Sequence, residues 1–232
     1  MEKLIKNIKI IPDNEIQKLL DNVLSFKLVS NKLHGDLFEL VFTELINKYT
    51  NLKAIHLGKE YQNDKTNEND IKIDGIEYSL KSYCNKYLQL STTKGVNLFE
   101  LLDNLNNKNK LNVETLKKDK IFMNTINKQI INLSVNDIKM EASLFLVNFN
   151  ELFQHTKKII KTKKTKHYQF LFLDKNENEL FHLKYGGKTA NAFQRGFWMN
   201  PEKNKKYIHT FIEWRKFDMN IKNVNKIINN II

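Results

Sequence analysis

An α/β fold, a single domain with a central mixed β-sheet flanked by helices, is what this sequence predicts, and three observations lead there. Segments with apolar residues at helical spacing open the chain, at 13–29 and 33–49. Short alternating runs follow, and those at 71–73 and 76–80 are joined by Asp74-Gly75, a dipeptide that favours a tight type I′ hairpin. Helix-like and strand-like segments then alternate through the second half, which places a sheet between helices. With 232 residues, 41% of them hydrophobic, the chain can fill a sizeable core. Only 7 glycines and 2 prolines occur, so no Gly/Pro-rich linker divides it, and no internal repeat is visible. The expected domain is 1–232, with one functional core over about 33–150 and a second region over about 155–216.

The elements follow in order. Asp13 and Asn14 are candidate caps for a first helix, whose stripe is Ile16, Leu19, Leu20, Val23 and Leu24. LHGDLFELVFTELINKY (33–49) is the most apolar helix, with Leu37, Leu40, Val41 and Leu45 covering much of its circumference. A strand at 54–58, a polar loop at 59–69 and the Asp74-Gly75 hairpin come next. Helices are expected at 97–107 and 112–131, then strands at 143–149, 168–173 and 179–185, the last two joined through DKNEN. The lysine-rich stretch 157–166 reads as a loop or helix end, 189–197 as a helix, and 204–232 as one or two closing helices.

Lysine and arginine number 38 against 26 acids, so the chain carries +12 and suits a polyanionic partner such as nucleic acid. A solvated surface in a chain rich in Lys, Asn and Ile gives the same balance. The single cysteine, Cys84, excludes an internal disulfide and a multi-cysteine zinc site, and fits a reducing compartment. No apolar run approaches the roughly 20 residues that span a bilayer, and the first residues lack a signal-peptide pattern. The expected location is cytoplasmic. Motifs for phosphate loops, dinucleotides, serine hydrolases and zinc proteases are missing. The six histidines, at 34, 56, 155, 167, 182 and 209, show no ligand spacing.

The chemistry-bearing stretch is NDIKIDGIEYSLKSY, residues 69–83. Pairing across Asp74-Gly75 brings Asp70, before the first strand, near Ser79 and Lys81 on the second, and those two project from one face. A carboxylate and an ammonium converging in this way suit phosphodiester hydrolysis. The carboxylate can hold Mg2+, which polarises the phosphate and lowers the pKa of a bound water. The lysine orients or deprotonates that water and stabilises the developing charge.

Over residues 35–83 the chain resembles the PD-(D/E)XK nuclease superfamily, particularly type II restriction endonucleases. In that family a helix before the core strands carries a glutamate, a strand begins with an aspartate, and the next carries acid-X-Lys. GDLFE offers Glu39, ND offers Asp70, and SLK offers Ser79 and Lys81. Asn69 stands where the motif has proline, and Ser79 where it has a second acid. The resemblance implies a restriction-endonuclease-like core and a catalytic set of Asp70, Ser79, Lys81 and Glu39. Mg2+ would be held by Asp70, Glu39 and the Leu80 carbonyl. Glu39 is the preferred substitute for the second acid; Glu44 and Glu77 stand behind it, and Glu60, Asp64 and Glu68 of the polar loop are rivals. It further implies double-stranded DNA as substrate, a homodimer matching a palindromic site, and a companion DNA methyltransferase that is not a physical partner.

Two stretches offer DNA contacts. HLKYGGKTANAFQRGFWMNP (182–201) carries Lys184, Lys188, Thr189, Asn191, Gln194 and Arg195, side-chain types that read base edges. SYCNKYLQLSTTKG (82–95) carries Asn85, Lys86, Gln89, Thr92, Thr93 and Lys94, types that bind phosphates. The 157–166 lysines are a non-specific phosphate patch or a solvated face. The rival functional readings are a structure-selective repair or recombination nuclease and a non-catalytic DNA-binding protein.

Overall fold

The computed structural model describes residues 2–29, 33–57, 69–83, 88–91, 95–164, 167–185 and 195–225. In chain order the elements are α1 (Glu2–Ile8), α2 (Asp13–Ser25), α3 (Leu33–Tyr49), β1 (Ala54–His56), β2 (Ile71–Ile73), β3 (Ile76–Tyr83), β4 (Leu88–Ser91), α4 (Gly95–Asn107), α5 (Val113–Lys117), α6 (Lys120–Ile126), β5 (Gln129–Asn136), β6 (Glu141–Asn148), α7 (Phe149–Gln154), β7 (Lys158–Lys164), β8 (His167–Leu173), β9 (Glu179–Tyr185), β10 (Arg195–Met199), β11 (His209–Lys216) and α8 (221–225). The fold is mixed α/β, as expected, but its strands form two sheets. Two compact units result: Met1–Asn85 with Gln129–Leu146 and His209–Ile232, and Lys86–Lys128 with Val147–Ile208. The expected regions at about 33–150 and 155–216 do not follow this division, because each unit is assembled from separated stretches of chain.

In the first unit the strand order is β1-β2-β3-β5-β6-β11. β1, β2 and β3 pair antiparallel, whereas β3 and β5 run parallel, which makes the sheet mixed. The amphipathic stripe of α2 and the Phe38, Phe42, Leu45 and Ile46 side of α3 pack with Ile71, Ile73, Tyr78 and Leu80 of the hairpin and Ile131, Leu133 and Val135 of β5. Leu40 is 48% exposed, so α3 buries one face rather than its whole circumference. The expected caps Asp13 and Asn14 are instead helical residues: the N-cap is Pro12, whose carbonyl accepts from Glu15 and Ile16 N–H. Asp13 then sits in the first turn, where a negative charge complements the helix dipole.

The hairpin forms as predicted. Asp74 and Gly75 both have positive φ, 47° and 84°, the geometry of a type I′ turn. Its register pairs Ile73 with Ile76, Lys72 with Glu77 and Ile71 with Tyr78. The turn is anchored from outside, since Asp74 accepts from Lys53 N–H at 2.9 Å and from Lys3 Nζ at 2.5 Å.

In the second unit the order is β4-β10-β9-β8-β7. Its core is aromatic: Phe122, Phe149, Phe153, Phe170, Phe172, Phe181 and Phe197 are fully buried, and Phe172 stacks on Phe181 with centroids 4.3 Å apart. Such offset and edge-on ring contacts add to the burial term and fix ring orientations.

Four sequence readings are corrected. The expected helix 112–131 is two short helices, α5 and α6, followed by β5. β5 begins with the last three residues of that stretch, and its apolar-polar alternation, Ile131-Asn132-Leu133-Ser134-Val135-Asn136, is buried on both faces, so the polar positions do not mark a solvent side. The 157–166 loop is β7, paired along its length with β8. Of the helix expected over 189–197, residues 189–194 lie outside the described residues and 195–197 belong to β10. The closing helices are β11 and α8, after a 3-10 turn at Lys205–Tyr207. The sequence also missed α1, which buries Leu4 and Ile8. Among the described residues no helix is long and apolar enough to cross a membrane.

The turn yields a direct test. A Cβ on Gly75 meets nothing within 4 Å, so Gly75→Ala costs only the positive φ. The expected loss is about 1 kcal/mol in urea unfolding, and Gly75→Asn, which tolerates this region, loses less.

Candidate active site

Asp70 precedes β2 and is fixed on both sides by backbone bonds. Its N–H donates to the Tyr78 carbonyl at 3.0 Å, and its carbonyl accepts from Leu57 N–H at 2.9 Å. The side chain turns toward β3, where Oδ2 accepts three hydrogen bonds: Leu80 N–H at 2.6 Å, Ser79 Oγ at 3.0 Å and Lys81 Nζ at 3.3 Å. Lys81 also donates to the Leu80 carbonyl at 3.0 Å. Asp70 is 12% exposed and Lys81 30%, so the pair is only half-screened by solvent. Ser79, where an acid was expected, is a buried hydroxyl donor that holds Asp70 in place.

Glu39 reaches the same neighbourhood from α3. Its Oε2 lies 3.1 Å from His56 Nε2, and the carboxyl is 24% exposed. Burial raises its pKa above the ordinary glutamate value, and the negative charge of Asp70 pushes it the same way; the hydrogen bond from His56 and the charges of His56 and Lys81 oppose the shift. The other acids are accounted for. Glu44, exposed, is five residues along α3 from Glu39 and so on a different face. Glu77 accepts from Asn69 Nδ2 at 2.8 Å. Glu60, Asp64 and Glu68 lie outside the described residues.

Asp70 Oδ1 and Glu39 Oε1 accept no hydrogen bond among the described residues. Together with the Leu80 carbonyl they are hard oxygen donors, a set that suits Mg2+ with water completing its shell. No group of three or more His, Cys, Asp and Glu side chains arranged around a metal occurs among the described residues. The fit therefore rests on two carboxylates and a carbonyl.

Two residues here were missed. His56, dismissed for want of motif spacing, pairs with Ile71 in the β1–β2 register and so stands beside Asp70; only the strand pairing reveals it. Asn132 lies one residue past the stretch expected to be helix, in a segment assigned no element. It pairs with Lys81 across the parallel β3–β5 ladder, is fully buried, and donates from Nδ2 to Ser134 Oγ at 3.2 Å. Its Oδ1 has no donor among the described residues.

The expected DNA contacts belong to the second unit where they are described. Lys184 Nζ lies 3.8 Å from the ring centroid of Trp198, and Trp198 pairs with Gln89 across β10 and β4, so Lys184 and Gln89 share one sheet face with that indole. Arg195 opens β10 opposite Tyr185. Lys188, Thr189, Asn191, Gln194, Asn85, Lys86, Thr92, Thr93 and Lys94 lie outside the described residues. No protein-family model, curated protein or solved structure matches the chain.

Glu39 gives a signed prediction. Its folded pKa is raised, so the folded state holds the proton more tightly than the unfolded chain, and stability falls as pH rises through the ordinary carboxylate range to the raised value. Glu39→Gln removes that loss. Its thermal midpoint should exceed wild type at pH 7.5, with the gap closing toward pH 4; a lower midpoint at pH 7.5 contradicts the assignment.

Proposed function

We propose that the chain is a Mg2+-dependent, sequence-specific endonuclease of double-stranded DNA, a type II restriction enzyme of the PD-(D/E)XK type. One observation carries the reading: Asp70 Oδ2 gathers Ser79, Leu80 N–H and Lys81 at a single carboxylate, with Glu39 supplied by the preceding helix. Helix glutamate, strand aspartate and next-strand lysine thus meet in the order that the resemblance implies. We read α3-β1-β2-β3, with β5 parallel to β3, as a restriction-endonuclease-like core.

In this reading Asp70, Glu39 and the Leu80 carbonyl hold Mg2+, which when bound supplies positive charge to the scissile phosphate and acidifies a water. The protein's own groups do the rest. Ser79 and Leu80 N–H hold the Asp70 carboxylate by Oδ2 and leave Oδ1 for a metal, and His56 holds Glu39 by Oε2 in the same way. Lys81 has two N–H groups committed, to Asp70 and the Leu80 carbonyl, and one left for a phosphoryl oxygen or the attacking water. Ser79 in the acid's position leaves one carboxylate fewer, which makes Glu39 indispensable. The second unit, through Lys184, Gln89, Arg195 and the 186–194 segment, would read the bases. A homodimer on a palindromic site and a companion methyltransferase complete the proposal.

The test is incubation with varied unmethylated DNAs in Mg2+ or EDTA, with product ends sequenced. Discrete, sequence-defined fragments that vanish in EDTA are expected, and Lys81→Ala should lower the rate about 10²- to 10⁴-fold. Cutting confined to branched or nicked DNA would move the reading to a repair nuclease. No metal-dependent cleavage, or unchanged cleavage by Lys81→Ala, would reject it.

A further inference from the structure

At one end of the second unit's sheet the strand registers line up a row of basic and aromatic positions. Lys163 on β7 pairs with Tyr168 on β8, and Arg195 on β10 pairs with Tyr185 on β9. Between them β8 and β9 pair from Gln169 and Lys184 onward. Tyr168 is 47% exposed, unusual for the sheet face that otherwise buries Phe170 and Phe172.

Two ammonium groups share that one ring: Lys161 Nζ is 4.7 Å and Lys163 Nζ 5.8 Å from the Tyr168 centroid. Lys161 is neutralised by Asp103. Lys163 has no acidic partner among the described residues, and the sequence carries no acid from Leu152 to Leu173. Lysines on an edge strand commonly block unwanted strand pairing, which accounts for the outward Lys157 and Lys158. It does not account for the Lys163 ammonium held over an exposed tyrosine ring with no acid among the described residues to neutralise it. An uncompensated ammonium over a ring, on a strand in an acid-free stretch of a chain carrying +12, suits a phosphate oxygen of a polyanion.

We propose that this end of the sheet, centred on Lys163 and Tyr168, is a contact surface for the phosphodiester backbone of duplex DNA. The proposal rests on the nuclease reading only for the identity of the polyanion. Tyr168 acts as a platform that holds the Lys163 ammonium in position, so the ring matters and its hydroxyl does not.

The test uses the full chain carrying Asp70→Asn in EDTA, so that binding is measured without cleavage, and follows the fluorescence anisotropy of a labelled random-sequence duplex from 50 to 300 mM KCl. Lys163→Glu should weaken binding at least about 5-fold at 100 mM KCl and reduce the slope of log K against log salt by about 0.9, one phosphate contact. Tyr168→Leu should weaken binding and Tyr168→Phe should not, with thermal midpoints of all three variants close to the parent. Unchanged affinity and slope in Lys163→Glu, or a loss seen on single strands and absent on the duplex, overturns the surface. If Lys163→Glu weakens binding while the wild-type protein cuts no DNA, the surface stands and the nuclease reading falls. If wild type cuts and Lys163→Glu changes nothing, the reverse holds.

Discussion

One carboxylate oxygen organises the candidate site. Asp70 Oδ2 is the common acceptor for a backbone N–H, a hydroxyl and an ammonium from three consecutive residues of β3. That convergence depends on register, because a slip of one residue turns Ser79 and Lys81 to the opposite face and replaces them with Tyr78 and Leu80. Register in turn depends on the two-residue turn, where Asp74 and Gly75 adopt positive φ and Asp74 is tied to Lys53 and Lys3. Ile71, Ile73, Tyr78 and Leu80 reinforce the same choice by burying one side of the hairpin. Turn chemistry, core packing and site geometry all specify one pairing.

Around that hub, electrostatics work against stability. Glu39 is kept near a second carboxylate and partly desolvated, which raises its pKa, and His56 relieves only part of the strain. Asn132 leaves a buried amide oxygen without a donor beside Lys81, a group whose desolvation costs about 1–3 kcal/mol. The second unit also buries polar atoms without a partner among the described residues, on Thr156, Thr162, Trp198 and Asn200, but these are neutral groups.

Much of the first unit was legible in the sequence because its signals were local. The 3.6-residue stripe of α2, the Asp-Gly turn and the alternation on either side each reported their own structure, and Asp70, Ser79 and Lys81 followed from the turn. What depended on distant pairing was not legible. β5 is the exception: its alternation from Ile131 to Asn136 is local, but the helix expected through 131 ran into its first residues, and Asn132 just beyond went unread. His56 reached the site through its pairing with β2 rather than through sequence spacing. β7 and β10 looked like loop and helix because lysines, glycines and polar residues surround them, and only ladders with β8 and β9 make them strands. The division into two units also escaped, since the chain crosses between them without any glycine- or proline-rich boundary.

The central claim is that Asp70 and Glu39 form a binding place for a divalent cation. Isothermal titration of Mg2+ into the wild-type protein at pH 7.5 tests it without DNA or turnover. Saturable binding that disappears in Asp70→Asn and weakens in Glu39→Gln is predicted; the same isotherm in wild type and Asp70→Asn would contradict it.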